Sequence, residues 1–204
     1  IENVGIRGLA GDDVITVDFG NLALAGVVID GGPGNDTINT SGLQSNAMLF
    51  GGSGNDTLTG GLNNDTLHGD TGDDVLKAGP GNDAVDGGDG NDIIDGGAGN
   101  DQLHGGLGND SIDGGVGLDR IFGGDGQDQI VGGPGDDYII GGPGIDSIDG
   151  GEDTDTIAGT TEWHRDDQNA NSDDVKLDLP LVASQHVSFG ASTQSPGSAS
   201  IASA

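Results

Sequence analysis

GGDGNDIID (87–95), GGAGNDQLH (96–104) and GGLGNDSID (105–113) follow one another with no residue between them. Each unit is a nonapeptide, with glycine at positions 1, 2 and 4, aspartate at position 6 and one aliphatic residue at position 8. Outward from this stretch the frame runs unbroken from Gly51 to Ala158, in twelve consecutive copies. Two more copies lie upstream, GLAGDDVIT (8–16) and GGPGNDTIN (31–39), which makes fourteen. Self-similarity at a fixed short period is the signature of a solenoid, in which each unit buries its apolar residue only by stacking on its neighbours.

Two positions never vary in type. Position 6 is aspartate in every copy: Asp13, Asp36, Asp56, Asp65, Asp74, Asp83, Asp92, Asp101, Asp110, Asp119, Asp128, Asp137, Asp146 and Asp155. Position 8 is always aliphatic, as at Ile15, Leu58, Val85, Ile94, Leu103 and Ile157. Among positions 7–9 only the central one is consistently apolar, the alternation of a very short strand with one buried side chain. The unit therefore reads as a turn over positions 1–6 followed by a strand over positions 7–9. Two units complete one turn of a flattened coil with a loop at each edge. Parallel strands stack about 4.7–4.9 Å apart, which sets loops of units n and n+2 one above the other. Glycine-rich turns let carbonyl oxygens converge, and carbonyl and carboxylate oxygens suit Ca²⁺ rather than a transition metal.

Composition points the same way. Only 31% of the 204 residues are hydrophobic and 3% aromatic, with a formal net charge of −30, a balance that ordinarily leaves a chain disordered. Glycine accounts for 44 residues, so ordering the backbone is costly. A bound cation is the natural source of the missing stability. Nucleic acid is a poor partner for this charge, since phosphates are repelled, and an anionic membrane surface is disfavoured for the same reason. There is no cysteine, hence no disulfide and no thiolate site. No apolar run is long enough to span a bilayer. No signal peptide is recognisable at the start, and Ile1 in place of Met reads as an excerpt or a processed chain.

On these residues the chain resembles the repeats-in-toxin family of haemolysin-type calcium-binding repeats, over 8–16, 31–39 and 51–158. The resemblance implies an all-β fold, a right-handed parallel β-roll solenoid with two nonapeptides per turn and a short irregular C-terminal tail. It also implies Ca²⁺ between stacked loops, bridged by the position-6 aspartates of both. Asp92 then pairs with Asp110 and Asp110 with Asp128 along one edge, and Asp101 with Asp119 and Asp119 with Asp137 along the other. Backbone carbonyls of the glycine-rich positions complete the shell: Gly87, Gly88, Gly90, Gly96, Gly97, Gly99, Gly105, Gly106, Gly108, Gly114, Gly115, Gly117, Gly123, Gly124, Gly126, Gly132, Gly133 and Gly135. Residues 51–158 carry 22 Asp, one Glu, one Lys and one Arg, a charge of −21. Ten gaps between their twelve loops would bring about +20 as calcium, close to neutrality. With the upstream copies the ceiling rises to about twelve ions.

Three regions are expected. Residues 1–50 form longer rungs, 8–30 and 31–50, each with one motif loop and a second strand near Gly26–Ile29 or Ala47–Phe50 that lacks it. Residues 51–158 form the regular roll. Residues 159–204 form a cap and low-complexity tail, with Trp163 covering the end of the coil, 178–189 as a further strand and GASTQSPGSASIASA as linker. A type I secretion signal in this tail is implied by the resemblance alone. Asn63, Asp70, Ala78 and Asp153 replace glycines; Asn63 is expected to be a mild change because asparagine tolerates the left-handed region. The altered copies at 60–68, 78–86 and 150–158 share one edge, whose terminal sites are expected to be weaker.

His68 and His104 both occupy position 9 with Asp86 midway, and the plain reading is solvent-exposed histidine. His164 beside Trp163 reads as cap or solvated loop, and Phe122 and Tyr138 as outward-facing aromatics. There is no HExxH, GxSxG or GxxxxGK[ST] sequence, so catalysis and phosphate binding have no footing. The expectation is a secreted, non-enzymatic calcium-binding module that folds after export. Alternatives are a calcium-dependent self-assembling adhesin, surface-layer or filament segment joined end to end, and the non-catalytic C-terminal part of a secreted hydrolase or polysaccharide-modifying enzyme.

Overall fold

The computed structural model describes residues 3–17 and 24–159, and beyond them the strand segments 163–164, 175–178, 187–188 and 200–201. Successive strands alternate between two parallel sheets that face each other across the coil. The first sheet stacks Asn3–Arg7, Gly26–Pro33, Ala47–Ser53, Thr66–Thr71, Ala84–Asp89, Gln102–Leu107, Arg120–Asp125, Tyr138–Ile140, Thr156–Gly159 and Val175–Asp178. The second stacks Val14–Thr16, Thr37–Asn39, Thr57–Thr59, Val75–Pro80, Ile93–Ala98, Ser111–Asp113, Gln129–Pro134, Ser147–Glu152 and Trp163–His164.

Register follows the repeat. Leu103 pairs with Ile121 and Ile94 with Ile112, two repeat units apart, so position 8 always meets position 8. In the N-terminal region the offset widens to 20 residues at Thr37 and Thr57 and to 23 at Val14 and Thr37. The strands without a motif loop, Gly26–Pro33 and Ala47–Ser53, keep their place in the first sheet, and the longer loops absorb the extra residues. A one-residue slip would turn every aliphatic side chain outward, and this pins the register despite such short strands.

The core is the double row of position-8 side chains. Leu58, Leu67, Leu76, Ile94, Leu103, Ile112, Ile121, Ile130, Ile139, Ile148 and Ile157 are all buried, while positions 7 and 9 point outward. Ile29, Ile38 and Leu49 continue this row through the longer rungs, and Val27, Leu43 and Ala47 add buried apolar side chains beside it. Each layer has so little apolar volume that it cannot re-close around a void. Leu103→Ala is expected to cost about 2–5 kcal/mol, read as a lower urea midpoint in saturating calcium.

Both sheets run on past the last repeat. Thr156–Gly159 pairs with Val175–Asp178, and Ser147 and Ile148 pair with Trp163 and His164. The irregular segment expected from 159 onward thus contributes two further strands, because a parallel ladder needs extended backbone and not the glycine motif. Val187–Ser188 and Ser200–Ile201 pair antiparallel. The Trp163 side chain and most of 178–204 lie outside the described residues.

Candidate metal centres

Stacking at this register gathers the position-6 aspartates into two columns, one along each edge of the coil. The first column contains Asp13, Asp36, Asp56, Asp74, Asp92, Asp110, Asp128 and Asp146. The second contains Asp65, Asp83, Asp101, Asp119, Asp137 and Asp155. Within a column each Oδ1 accepts the backbone N–H of the aspartate one turn earlier. Asp74 N–H donates to Asp92 Oδ1 and Asp92 N–H to Asp110 Oδ1, both at 2.8 Å. On the other edge Asp101 N–H donates to Asp119 Oδ1, also at 2.8 Å. The same contact joins the extra rungs, from Asp13 to Asp36 at 2.7 Å and from Asp36 to Asp56 at 2.6 Å. Neighbouring loops therefore enclose seven gaps in the first column and five in the second.

The second carboxylate oxygen behaves differently. Oδ2 of Asp36, Asp56, Asp74, Asp83, Asp92, Asp101, Asp110, Asp119, Asp128, Asp137 and Asp146 is buried without a hydrogen-bond partner. A buried carboxylate oxygen with no donor is expensive, and the same arrangement on turn after turn marks a place built for a cation.

The glycines shape the rest of that place. A Cβ on Gly87 would collide with Asp92 Oδ2 and with the Gly105 carbonyl oxygen of the next loop. At position 4, Gly108 has φ +128° and a Cβ there would strike the Gly90 carbonyl; at position 2, Gly106 has φ +116° and would strike the Gly88 carbonyl. The other edge repeats this, with Asp101 Oδ2 and the Gly114 carbonyl at Gly96, the Gly97 carbonyl at Gly115 and the Gly99 carbonyl at Gly117. Gly123, Gly124 and Gly126 lie opposite Gly105, Gly106 and Gly108, and Gly132, Gly133 and Gly135 opposite Gly114, Gly115 and Gly117. Each gap is thus bordered by carbonyls of positions 1, 2 and 4 and by two carboxylates. An all-oxygen set of this kind, with irregular directions, fits Ca²⁺.

Burial shifts the carboxyl groups. It pushes Asp74, Asp101 and Asp137 up to about 7, and Asp56, Asp83, Asp110 and Asp128 up to about 6. The hydrogen bond from the preceding turn opposes the rise, and the carboxylates above and below add to it, as Asp92 and Asp56 do for Asp74. Asp65, Asp92, Asp119 and Asp146 move in the same direction for the same first cause.

Both columns begin with a closed loop. Asp13 Oδ2 accepts the Leu9 N–H at 2.9 Å, and Asp65 Oδ2 accepts the Gly61 N–H at 2.5 Å, so each turns back on its own position 2. Below Asp65 the column stops because Ala47 stands where an aspartate would be, its N–H on Asp65 Oδ1 at 2.6 Å. Buried Leu43 packs beside Gly61. The departures from glycine also resolve. Asp70 and Asp153 adopt the left-handed conformation of the residue they replace, at φ 72° and 79°. Asn63 does not: neither it nor Gly61 takes a positive φ, because their loop rests on Leu43 and not on another glycine loop. The change expected to be mild at Asn63 belongs to a loop of different shape. Ala78 is buried at position 1 and places a methyl where other loops leave room for the carboxylate.

A second ladder, which the motif alone does not announce, runs at position 5. Asn55 N–H donates to Asn35 Oδ1, Asn91 N–H to Asp73 Oδ1 and Asn109 N–H to Asn91 Oδ1 at 2.7–2.9 Å. On the opposite edge Asn82 donates to Asn64 and Asn100 to Asn82. Position-5 side chains reach up to the next turn and position-6 side chains reach down, which ties each loop to both neighbours. The signal was the frequency of asparagine at position 5. It was hidden because asparagine in a turn is usually explained within its own loop.

Two facing parallel sheets with stacked all-oxygen loops define a calcium-binding β-solenoid. The model of the RTX calcium-binding nonapeptide repeat matches residues 6–21 and, in overlapping segments, 27–161; this chain belongs to that family. No curated protein matches the chain.

Proposed function

We propose that the chain is a calcium-driven folding module of a secreted protein and is not itself an enzyme. The observation that carries this reading is the row of buried, partnerless Oδ2 atoms: folding alone brings like charges together on turn after turn with nothing to compensate them. A divalent cation in each gap supplies the positive charge and the oxygen affinity that the loops lack. The aspartates hold adjacent turns at the right spacing, the glycine carbonyls close the shell, and the position-8 side chains dock once the turns are in register. Without that charge compensation, such short strands and a single aliphatic residue per unit fall short of the cost of ordering so much glycine. Folding and binding are then one event. In a low-calcium cytosol the chain stays extended and competent for export; at millimolar calcium outside, it coils.

Far-ultraviolet circular dichroism during a calcium titration, with magnesium as control, tests this. The expected result is a cooperative gain of β signal with calcium alone at pH 7.5. A full β spectrum in chelator at that pH would overturn the switch. Light scattering on the same samples separates a monomeric module, whose size stays that of one chain, from the self-assembling alternative.

A further inference from the structure

The outer face of the first sheet carries a row of position-9 side chains that point away from the gaps: Phe50, His68, Asp86, His104 and Phe122. Strand register sets His68 directly beside Asp86 and Asp86 directly beside His104. His104 Nδ1 lies 3.0 Å from Asp86 Oδ1, and His68 Nδ1 lies 3.9 Å from Asp86 Oδ2. Two imidazoles thus approach the two oxygens of one carboxylate from opposite sides. Phe50 stacks on the His68 ring, with centroids 5.0 Å apart and planes within 6°. Short Ala84 at the neighbouring position 7 helps open a hollow of 240 Å³ over the group. All three polar side chains remain a third to a half exposed, so an ion can enter without unfolding.

We propose that His68, Asp86 and His104 form a site for one borderline transition-metal ion of the zinc class, separate from calcium. Imidazole nitrogen is the ligand that distinguishes this site from the all-oxygen gaps, and it favours zinc-class ions over calcium. Neighbouring ligand atoms around a tetrahedral zinc with bonds of about 2.0–2.1 Å stand about 3.3 Å apart; here His104 Nδ1 is hydrogen-bonded to Asp86 Oδ1 while His68 faces the other oxygen, Oδ2, so the two imidazoles have to turn toward one side of the carboxylate. Among the described residues no group of three is arranged to hold a metal ion as it stands, so binding requires His104 to give up its hydrogen bond to Asp86 and half-buried His68 to turn from its stack on Phe50. Two nitrogens and one carboxylate leave a fourth position for water or an incoming ligand.

The test is a zinc titration of the full chain in saturating calcium, followed by calorimetry and by the histidine ring NMR signals. The expected result is one tight equivalent that shifts the His68 and His104 signals together. His68→Asn, His104→Asn and Asp86→Asn should each lower zinc affinity at least tenfold and leave the calcium-induced circular dichroism unchanged, since these side chains lie on the outer face. Zinc affinity indifferent to all three substitutions, or zinc that displaces calcium without moving either ring, would overturn the proposal.

Discussion

Asp110→Asn is expected to remove two calcium ions from the folded chain, and Asp65→Asn only one. Asp110 sits in the middle of its column and its carboxylate reaches into both adjoining gaps. Oδ1 accepts the Asp92 N–H of the turn before, while Oδ2 borders the Gly123 carbonyl of the turn after. Asparagine keeps the acceptor for Asp92 and removes the charge, so the substitution tests charge and not packing. Asp65 has Ala47 on one side and Asp83 on the other, and so faces one gap. A site at 100 times its dissociation constant contributes about 2.7 kcal/mol, so Asp110→Asn should lose about 5 kcal/mol of calcium-dependent stability and Asp65→Asn about half as much. Native mass spectrometry counts the ions, and urea melts at fixed calcium give the stability difference. Equal losses from the two variants would mean that the column is not read gap by gap.

Acid is expected to substitute in part for calcium. In chelator, lowering the pH from 7.5 to about 5 should restore β signal. The folded carboxyls at Asp74, Asp101 and Asp137 hold their protons up to about 7, and Asp110 and Asp128 up to about 6, against an ordinary value of 3.8. Between those limits the folded state binds more protons than the unfolded state, so stability falls as pH rises through the window. The contribution of these groups is fully present below about pH 4 and lost above about 7. A protonated Oδ2 also becomes a donor beside a position-1 carbonyl, which removes the charge and the orphaned oxygen together. The same protons compete with calcium, so the calcium midpoint should rise as pH drops from 7 toward 5. A metal-free chain equally unfolded at pH 5 and 7.5, by circular dichroism, would contradict this account of the columns.

Much of this architecture was legible in the repeat. The nonapeptide frame gives the two-unit turn, the buried row at position 8 and the two aspartate columns, because each follows from a local pattern copied without slippage. The longer rungs were legible too, since their lengths could be counted between motif copies. The ends of the columns were not. That Asp13 and Asp65 bond their own loops, and that Asn63 avoids the left-handed region its position suggests, depends on what lies beneath each loop.

The sequence alone therefore determined the repeating part of this protein: a solenoid, its period, its core and the aspartates and glycines that line the gaps between stacked loops. Tertiary structure decided what the period does not encode. It set the opposite directions of the position-5 and position-6 ladders, the Leu43 and Ala47 closure of the second column, and the strands that extend the sheets beyond Ala158. It also set the contacts around His68, Asp86 and His104, whose stacking the 18-residue turn already implied, including the Phe50 ring on His68. The physical reason is that a periodic signal fixes a residue's place within its own turn, whereas these features depend on which side chain of the adjacent turn it meets.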